Sequence, residues 1–369
     1  MDAFFASVEL LSYPELRGQP VVVGGRQVDQ PERLADGSCR FARLRDYVGR
    51  GVVTTSTYEA RALGVHSAMG IMKSAQLAPN AILLPANFEA YRDCSRRFKA
   101  AVASIAPKIE DRGIDEIYID LSELPDDSET LARRLKQAVV AATGLTCSIG
   151  ISPNKLLSKI CSDLEKPNGT TILQTSDIAR RIWPLAARKI NGIGPKASEK
   201  LTRLGIHTIG DLAAAPSELL TRHFGKSTGT WMHEAAHGID HRPVVIERDT
   251  KSVSRETTFE RDLHPRQDRE RLSGLFTRLC QQLAEDLQGK GYCSRTIGIK
   301  LRFDDFSTVS RDLTLPVPVD DVTGIRRAAG ECLKRVALDK KIRLLGVRAS
   351  NLLSAAAPVP RSLQQVLDF

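Results

Sequence analysis

The stretch Ile109-Glu110-Asp111-Arg112-Gly113-Ile114-Asp115-Glu116-Ile117-Tyr118-Ile119-Asp120 constrains this chain most. Two short apolar-alternating runs flank Arg112-Gly113, a pattern that predicts a hairpin. Asp115 and Glu116 fall just after the turn, at the start of the second strand. Neighbouring side chains of a regular strand point to opposite faces, but beside a turn two adjacent carboxylates can converge. Such hard oxygen donors suit Mg²⁺, which takes one or two carboxylates together with substrate phosphates. Taken alone, the pair reads first as two acids on a solvated hairpin.

A length of 369 residues implies two to four domains with more than one core. The formal net charge of +9 points to a polyanionic partner, nucleic acid foremost. The seven cysteines are scattered without a CxxC pair, which argues for a reducing compartment and against a disulfide framework or a zinc site. No apolar run reaches membrane-spanning length, and the opening Met1-Asp2-Ala3-Phe4-Phe5 lacks a signal-peptide pattern. A cytoplasmic protein that meets no membrane is expected.

Pro20-Val21-Val22-Val23-Gly24-Gly25 reads as a buried strand closed by glycines. Residues 26–50 carry six arginines and read as an insertion or a small helix with solvated charge. The β-branched run 51–57 leads into Tyr58-Glu59-Ala60-Arg61, a strand and hydroxyl-rich turn opening a helix, which is receptive to anions. Tyr58 and Arg61 share a helical face, and the planar fork of Arg61 can hold a phosphate. Helices are expected over 88–106 and 124–142. The strand 146–152 precedes Ser152-Pro153-Asn154-Lys155, which opens a helix with lysines at 155 and 159 and ends at Lys166-Pro167-Asn168-Gly169. Alternating strands and helices make this an α/β or α+β layer.

Gly192-Ile193-Gly194-Pro195-Lys196 before a helix at 197–204, with a further helix start at Gly205–Leu212, is a helix-hairpin-helix signature. Its glycines let backbone N–H groups approach phosphate oxygens, and Lys196 and Lys200 add charge. Residues 240–251 read as a linker. Beyond it, leucines at helical spacing over 272–287 and strands at 295–303, 310–316 and 342–349, with a helix at 324–338, make a smaller domain. On the strand 295–303, Ile297, Ile299, Leu301 and Phe303 take one face. Lys300 and Arg302 take the other, either as a phosphate-tracking surface or as a solvated face.

These segments in this order resemble a Y-family translesion DNA polymerase of the bacterial DNA polymerase IV type. The resemblance rests on Asp2-Ala3-Phe4-Phe5-Ala6-Ser7-Val8-Glu9, Tyr58-Glu59-Ala60-Arg61, Ile114–Asp120, Ser152-Pro153-Asn154-Lys155, Lys166-Pro167-Asn168-Gly169 and the helix-hairpin-helix. It implies an α+β multidomain right-hand polymerase, with a palm of mixed sheet plus helices at 1–3 and 87–173 and small fingers at 4–86 containing the 26–50 insertion. A helix-hairpin-helix thumb at 174–240, a linker at 241–251, an α/β little finger at 252–353 and a tail at 354–369 complete it. The implied activity is error-prone, template-directed extension of primers across damaged template, by nucleotidyl transfer with two Mg²⁺ ions.

By motif position, Asp115 and Glu116 are the catalytic metal ligands, with Met1 offering only its backbone carbonyl. Thr55, Tyr58, Arg61 and Lys166 match the residues that grip the dNTP. Phe5 matches the sugar steric gate, which selects deoxynucleotides by leaving no room for a ribose hydroxyl. Gly192, Gly194, Lys196, Lys300 and Arg302 are the expected contacts to primer-template DNA. Gln364, Leu367 and Phe369 resemble a sliding-clamp peptide, and the expected state is a monomer.

The family places a further metal-binding aspartate, on the first palm strand, immediately before the position of Met1. The chain as given starts after it, which carries the expectation that the true start lies upstream. The alternative is a catalytically impaired, clamp-tethered DNA-binding form, and a weaker rival is a helix-hairpin-helix nuclease. Gly70 and Gly113 stand where the family more often has proline and serine.

Overall fold

The computed structural model describes residues 1–25, 28–247 and 249–354. It forms two units, Met1–Glu247 and Arg248–Phe369.

In the first unit, the apolar run after Pro20 is β1 (Val21–Gly24), buried at every position. The short strands β2 (Glu32–Arg33), β3 (Cys39–Arg40) and β4 (Ala42–Arg43) follow, then β5 (Val53–Ser56) and β6 (Ile82–Leu84). One sheet runs β4-β6-β1-β5, with β1 parallel to β6 and antiparallel to β5. Both faces of β1 are covered. Val21 and Val23 pack with Phe4, Val8 and Tyr91, whereas Val22 packs with Leu44, Val53 and Ile71. A strand covered on both sides reads as a continuous apolar run, which explains its legibility. Around it lie α1 (Phe4–Ser12), α2 (Tyr58–Ala62) and α3 (Ile71–Leu77).

The small helix considered for 26–50 is reduced among the described residues to one 3₁₀ turn, Leu44–Asp46, and β2 and β3 pair as an antiparallel ladder. Several of its arginines serve the segment itself. Arg40 pairs with Glu32, while Arg43 and Arg45 donate to the Asn80 carbonyl and side chain at 2.6 and 2.8 Å. Charge spent on a local loop has no helical period to follow.

Next come α4 (Phe88–Ala103), β7 (Ile109–Asp111), β8 (Ile117–Ile119), α5 (Ser128–Thr143), β9 (Ile149–Ile151), α6 (Lys155–Leu164) and β10 (Thr170–Ile172). The hairpin β7–β8 is antiparallel, pairing Ile109 with Ile119, and β9 pairs with β10 in parallel. Both ladders lie over Phe98 and Val102 of α4 and Leu135 and Val139 of α5. Asp115 and Glu116 sit inside the turn, one step ahead of β8, rather than within the strand. α6 is capped by Asn154, whose side-chain oxygen accepts from the Leu157 N–H at 3.0 Å while its amide donates to the Gly238 carbonyl at 2.7 Å.

Leu156, Leu157, Ile160 and Cys161 of α6 join the core of a helical group, α7 (Pro195–Arg203), α8 (Ile209–Ala214), α9 (Ser217–Phe224) and α10 (Lys226–Ala236). The helix ahead of the Gly-Ile-Gly turn is a single 3₁₀ turn, Ala187–Lys189.

The second unit is a four-stranded sheet, β11 (Ser252–Leu263), β12 (Tyr292–Phe303), β13 (Thr308–Val319) and β14 (Ile342–Ser354), in the order β11-β14-β12-β13. α11 (Arg269–Gly289) and α12 (Val322–Leu333) pack on the face that carries Ile297, Ile299, Leu301 and Phe303. The sequence does not announce β11. Its apolar anchors are only Val253, Phe259 and Leu263, and polar residues occupy both faces of this edge strand.

Candidate active site

The site is built around α6. Lysines and an aspartate four residues apart, Lys155, Lys159 and Asp163, share one stripe of the helix. Lys155 bonds Glu110 of β7 at 2.6 Å, and Lys159 pairs with Glu116 of the same hairpin. Lys159 also lies 3.8 Å from Asp163, which is held by Lys166 at 2.7 Å. A cleft of about 620 Å³ opens here. Asp115, Glu116, Lys159, Lys166 and Met1 line it, and apolar residues of β8 and β9 line its depth. The Met1 amino group donates to the Asp115 carbonyl at 2.9 Å.

Burial disfavours the Asp163 carboxylate, but the bond from Lys166 and the charge of Lys159 outweigh it and hold the carboxyl below its ordinary value. Burial also opposes the charge on Lys159, yet the bond to Glu116 and the nearby Asp163 carry its ammonium above the usual lysine value. Both groups are therefore ionised at neutral pH.

Asp2 stands beside this cleft and is nearly fully buried. One carboxylate oxygen accepts from the Ser148 hydroxyl at 2.7 Å and the other from the Asn168 N–H at 2.9 Å. Asp2 thus ties the Lys166–Gly169 loop to Ser148, just ahead of β9, and both its oxygens accept a bond.

Tyr58, Arg61 and Thr55 come together as the sequence suggests. The Arg61 guanidinium lies over the Tyr58 ring at 4.8 Å, donates to the Ser56 carbonyl at 3.1 Å and reaches the Thr55 hydroxyl at 3.5 Å. The Tyr58 hydroxyl is buried and has no hydrogen-bond partner among the described residues. Its pKa is raised, first by burial and then by the negative charge of Asp2. The Tyr58 hydroxyl and the arginine fork beside it are both groups able to donate to an anion.

Phe5 stacks on Tyr91 at 4.5 Å and meets Phe88 edge-on at 5.9 Å. Tyr91 is fully buried and its hydroxyl bonds to Glu9.

The expected DNA contacts separate. Gly192 has φ +117°, and a Cβ there would sit 2.7 Å from the Trp231 ring, so this glycine is required by the fold. Gly194 is the open N-cap of α7 with no atom near a Cβ position, and Lys196 beside it is exposed. Lys200 instead bonds the His223 carbonyl and covers Phe224. Lys300 pairs with Glu256 at 2.8 Å, and Arg302 bonds Thr308 at 3.1 Å. Gln364, Leu367 and Phe369 lie outside the described residues.

The sequence alone places Lys159 on the helix without a role and does not single out Asp163 or Glu110. The period-four stripe on α6 is a visible signal, but its partners on β7–β8 come from tertiary structure.

A sheet with helices bearing paired carboxylates on a hairpin corner, joined to a helical group with a glycine hairpin and to a separate four-stranded unit, is the architecture of a Y-family polymerase. Residues 1–163 match the impB/mucB/samB family, residues 250–365 match its C-terminal domain, and residues 188–240 match the thumb domain of DNA polymerase-iota. The chain belongs to the impB/mucB/samB family. It is 38% identical over 357 residues to DNA polymerase IV of Streptomyces coelicolor, covering 95% of this chain and 70% of that protein. It is also 38% identical over 354 residues to DNA polymerase IV of Methanoculleus marisnigri, covering 95% and 92%. Among solved structures, a Y-family DNA polymerase chimera of Dbh and Dpo4 matches with TM-score 0.81 and 26% identity, over 96% of this chain and 97% of that one. An insertion ternary complex of Dbh DNA polymerase matches with TM-score 0.63 and 25% identity, over the same shares.

No helix among the described residues is long and apolar enough to cross a membrane. Polymerases of this family use a divalent metal. Asp115 and Glu116 both line the cleft, Glu116 paired with the Lys159 ammonium, and supply hard oxygen donors of the kind such a metal takes.

Proposed function

We propose that this chain is a DNA-directed DNA polymerase that extends primers across damaged template with low fidelity. The observation that carries this reading is the meeting, around one cleft, of the Asp115-Glu116 corner with Lys166 and the α6 charges, with Tyr58 near enough to feel Asp2 and Asp163. In this reading Asp115 and Glu116 hold Mg²⁺, two ions per site. Bound there, the metal supplies Lewis-acid activation of the primer hydroxyl and charge neutralisation at the leaving pyrophosphate.

The chain's own groups do the rest. Tyr58 and Arg61, backed by Thr55, orient the triphosphate, and Lys166, which lines the cleft, adds a further donor. The Phe5 ring, held by Tyr91, excludes a ribose hydroxyl. Gly194 and Lys196 offer a phosphate seat on the duplex that reads no sequence. Lys300 and Arg302 follow the backbone through exchangeable pairs. The division into palm, fingers, thumb, linker and little finger follows the sequence boundaries given above. A monomer working in the cytoplasm and tethered to a sliding clamp through Gln364, Leu367 and Phe369 completes the reading.

A second reading, a DNA-binding form without catalysis, is favoured by one observation: among the described residues no group of three acidic, histidine or cysteine side chains is placed to hold a metal. Primer extension on undamaged and abasic templates with Mg²⁺ and four dNTPs separates the two. Incorporation that is lost in E116Q supports the polymerase. Salt-dependent primer-template binding without incorporation moves the second reading to first place.

A further inference from the structure

Glu116 already holds a cation, and that cation has a second seat. The Lys159 ammonium is paired with Glu116 and lies 3.8 Å from Asp163, one helical turn further along α6. Asp163 is occupied in turn by Lys166 at 2.7 Å. The Lys159 side chain is only 22% exposed, against 45% for Glu116 and 42% for Asp163, so the ammonium is the enclosed member between two more open carboxylates. Four charges of alternating sign therefore run in one row, Glu116, Lys159, Asp163, Lys166, from the metal corner to the loop expected to meet the triphosphate.

Resting on the reading that Asp115 and Glu116 hold the divalent metal, we propose that Lys159 is the exchangeable counter-ion of that site. It neutralises Glu116 when no metal is there and moves to Asp163 when the metal takes Glu116. A divalent cation and an ammonium on one carboxylate repel each other, so one must leave. The lysine stem is flexible and the alternative seat lies within a short swing. Arrival of Lys159 at Asp163 weakens the hold of Asp163 on Lys166 and frees that ammonium for phosphate. Metal and nucleotide binding are thereby linked through side chains of α6 and the loop that follows it, and the linkage acts in both directions.

The test is direct binding of Mn²⁺ alone to the full chain, read from the free-ion electron paramagnetic resonance signal, without nucleotide or DNA. E116Q checks the underlying reading and is expected to weaken binding clearly. K159M is expected to tighten binding about three- to fivefold, the range that follows from losing one partly exposed ion pair. D163N, which removes the second seat, is expected to weaken binding about two- to threefold on the same basis. Opposite signs from two residues on one helix stripe are not the outcome of a merely structural role. K159Q repeats the measurement if K159M fails to fold. If E116Q weakens binding while neither Lys159 variant tightens it, the counter-ion proposal is overturned and the metal assignment stands. If E116Q binds Mn²⁺ like the wild type, the metal assignment itself falls, and the proposal with it.

Discussion

Glu110 and Lys155 form an ion pair 2.6 Å long in which the carboxylate is completely buried. The same Glu110 oxygen accepts the Val245 N–H at 2.9 Å, and Lys155 donates to the Pro243 carbonyl at 2.6 Å. The pair thus fastens the segment after α10 to the hairpin that carries Asp115 and Glu116. Breaking one side takes from a buried charge its closest counter-ion, although Arg112 stays 3.4 Å from Glu110, so E110Q or K155M is expected to cost about 3–5 kcal/mol in urea unfolding. The double variant E110L/K155M should cost less than either single change, because neither charge is stranded. A double variant worse than both would show that the pair contributes net attraction.

Phe5 rests on the ring of Tyr91, and the Tyr91 hydroxyl is tied to Glu9. Phe5→Ala is expected to relax discrimination against ribonucleotides by about 10- to 200-fold, the range for one lost packing contact in a specificity pocket. Tyr91→Ala should relax it in the same direction, whereas Tyr91→Phe, which keeps the ring, should not. Single-nucleotide incorporation of dNTP against NTP reads both. Unchanged sugar selectivity in Phe5→Ala would remove this residue from the gate.

The two glycines of the Gly192-Ile193-Gly194 turn are expected to fail differently. Gly192→Ala meets a left-handed backbone and the Trp231 ring together, and should lower stability by roughly 1–3 kcal/mol. Gly194→Ala meets no atom within 4 Å and should leave stability within about 0.5 kcal/mol of wild type. If the N–H groups at α7 seat a phosphate, Gly194→Ala still weakens primer-template binding. Thermal melts and salt-dependent anisotropy separate the two effects.

In the second unit, Asp268 accepts two bonds from Arg261, at 2.5 and 3.0 Å, and one from the His264 N–H at 2.8 Å. The Arg261 bonds first, then the backbone bond, pull its carboxyl from 3.8 down to about 2. A carboxyl lowered by folding stabilises the folded state above its unfolded value and loses that contribution as pH falls through the folded one. The stability gap between wild type and Asp268→Asn should therefore be constant above about pH 5, shrink between 3.8 and about 2, and vanish below. A gap that stays constant down to pH 2 would show that the ion pair does not drive it.

Much of this site is legible in the sequence because its parts are local. Tyr58 and Arg61 are one turn apart, Asp115 and Glu116 are adjacent, and Asn154 caps the helix its own motif opens. What is not legible depends on partners far along the chain. Lys155 and Lys159 look alike as basic residues at the start of a helix, yet one is buried against Glu110 and the other faces the cleft with Glu116. Lys300 looks like a free phosphate contact until β11 brings Glu256 beside it. That strand went unread because an edge position asks little apolar patterning of it. The arginines of 26–50 read as solvated charge, but Arg43 and Arg45 are used to fix Asn80.

The strand order of the second unit has a consequence for synthesis. β14, the last strand among the described residues, lies between β11 and β12 and is the strand with which β11 pairs there. Until residues 342–354 emerge, β11 lacks β14 beside it, some eighty residues behind the growing end, and the sheet cannot close. The first unit can meanwhile complete its own cores, all formed from residues ahead of Arg248. The two units are therefore expected to fold in sequence, with the second waiting on its final strand, the slow kind of closure that long-range β pairing imposes.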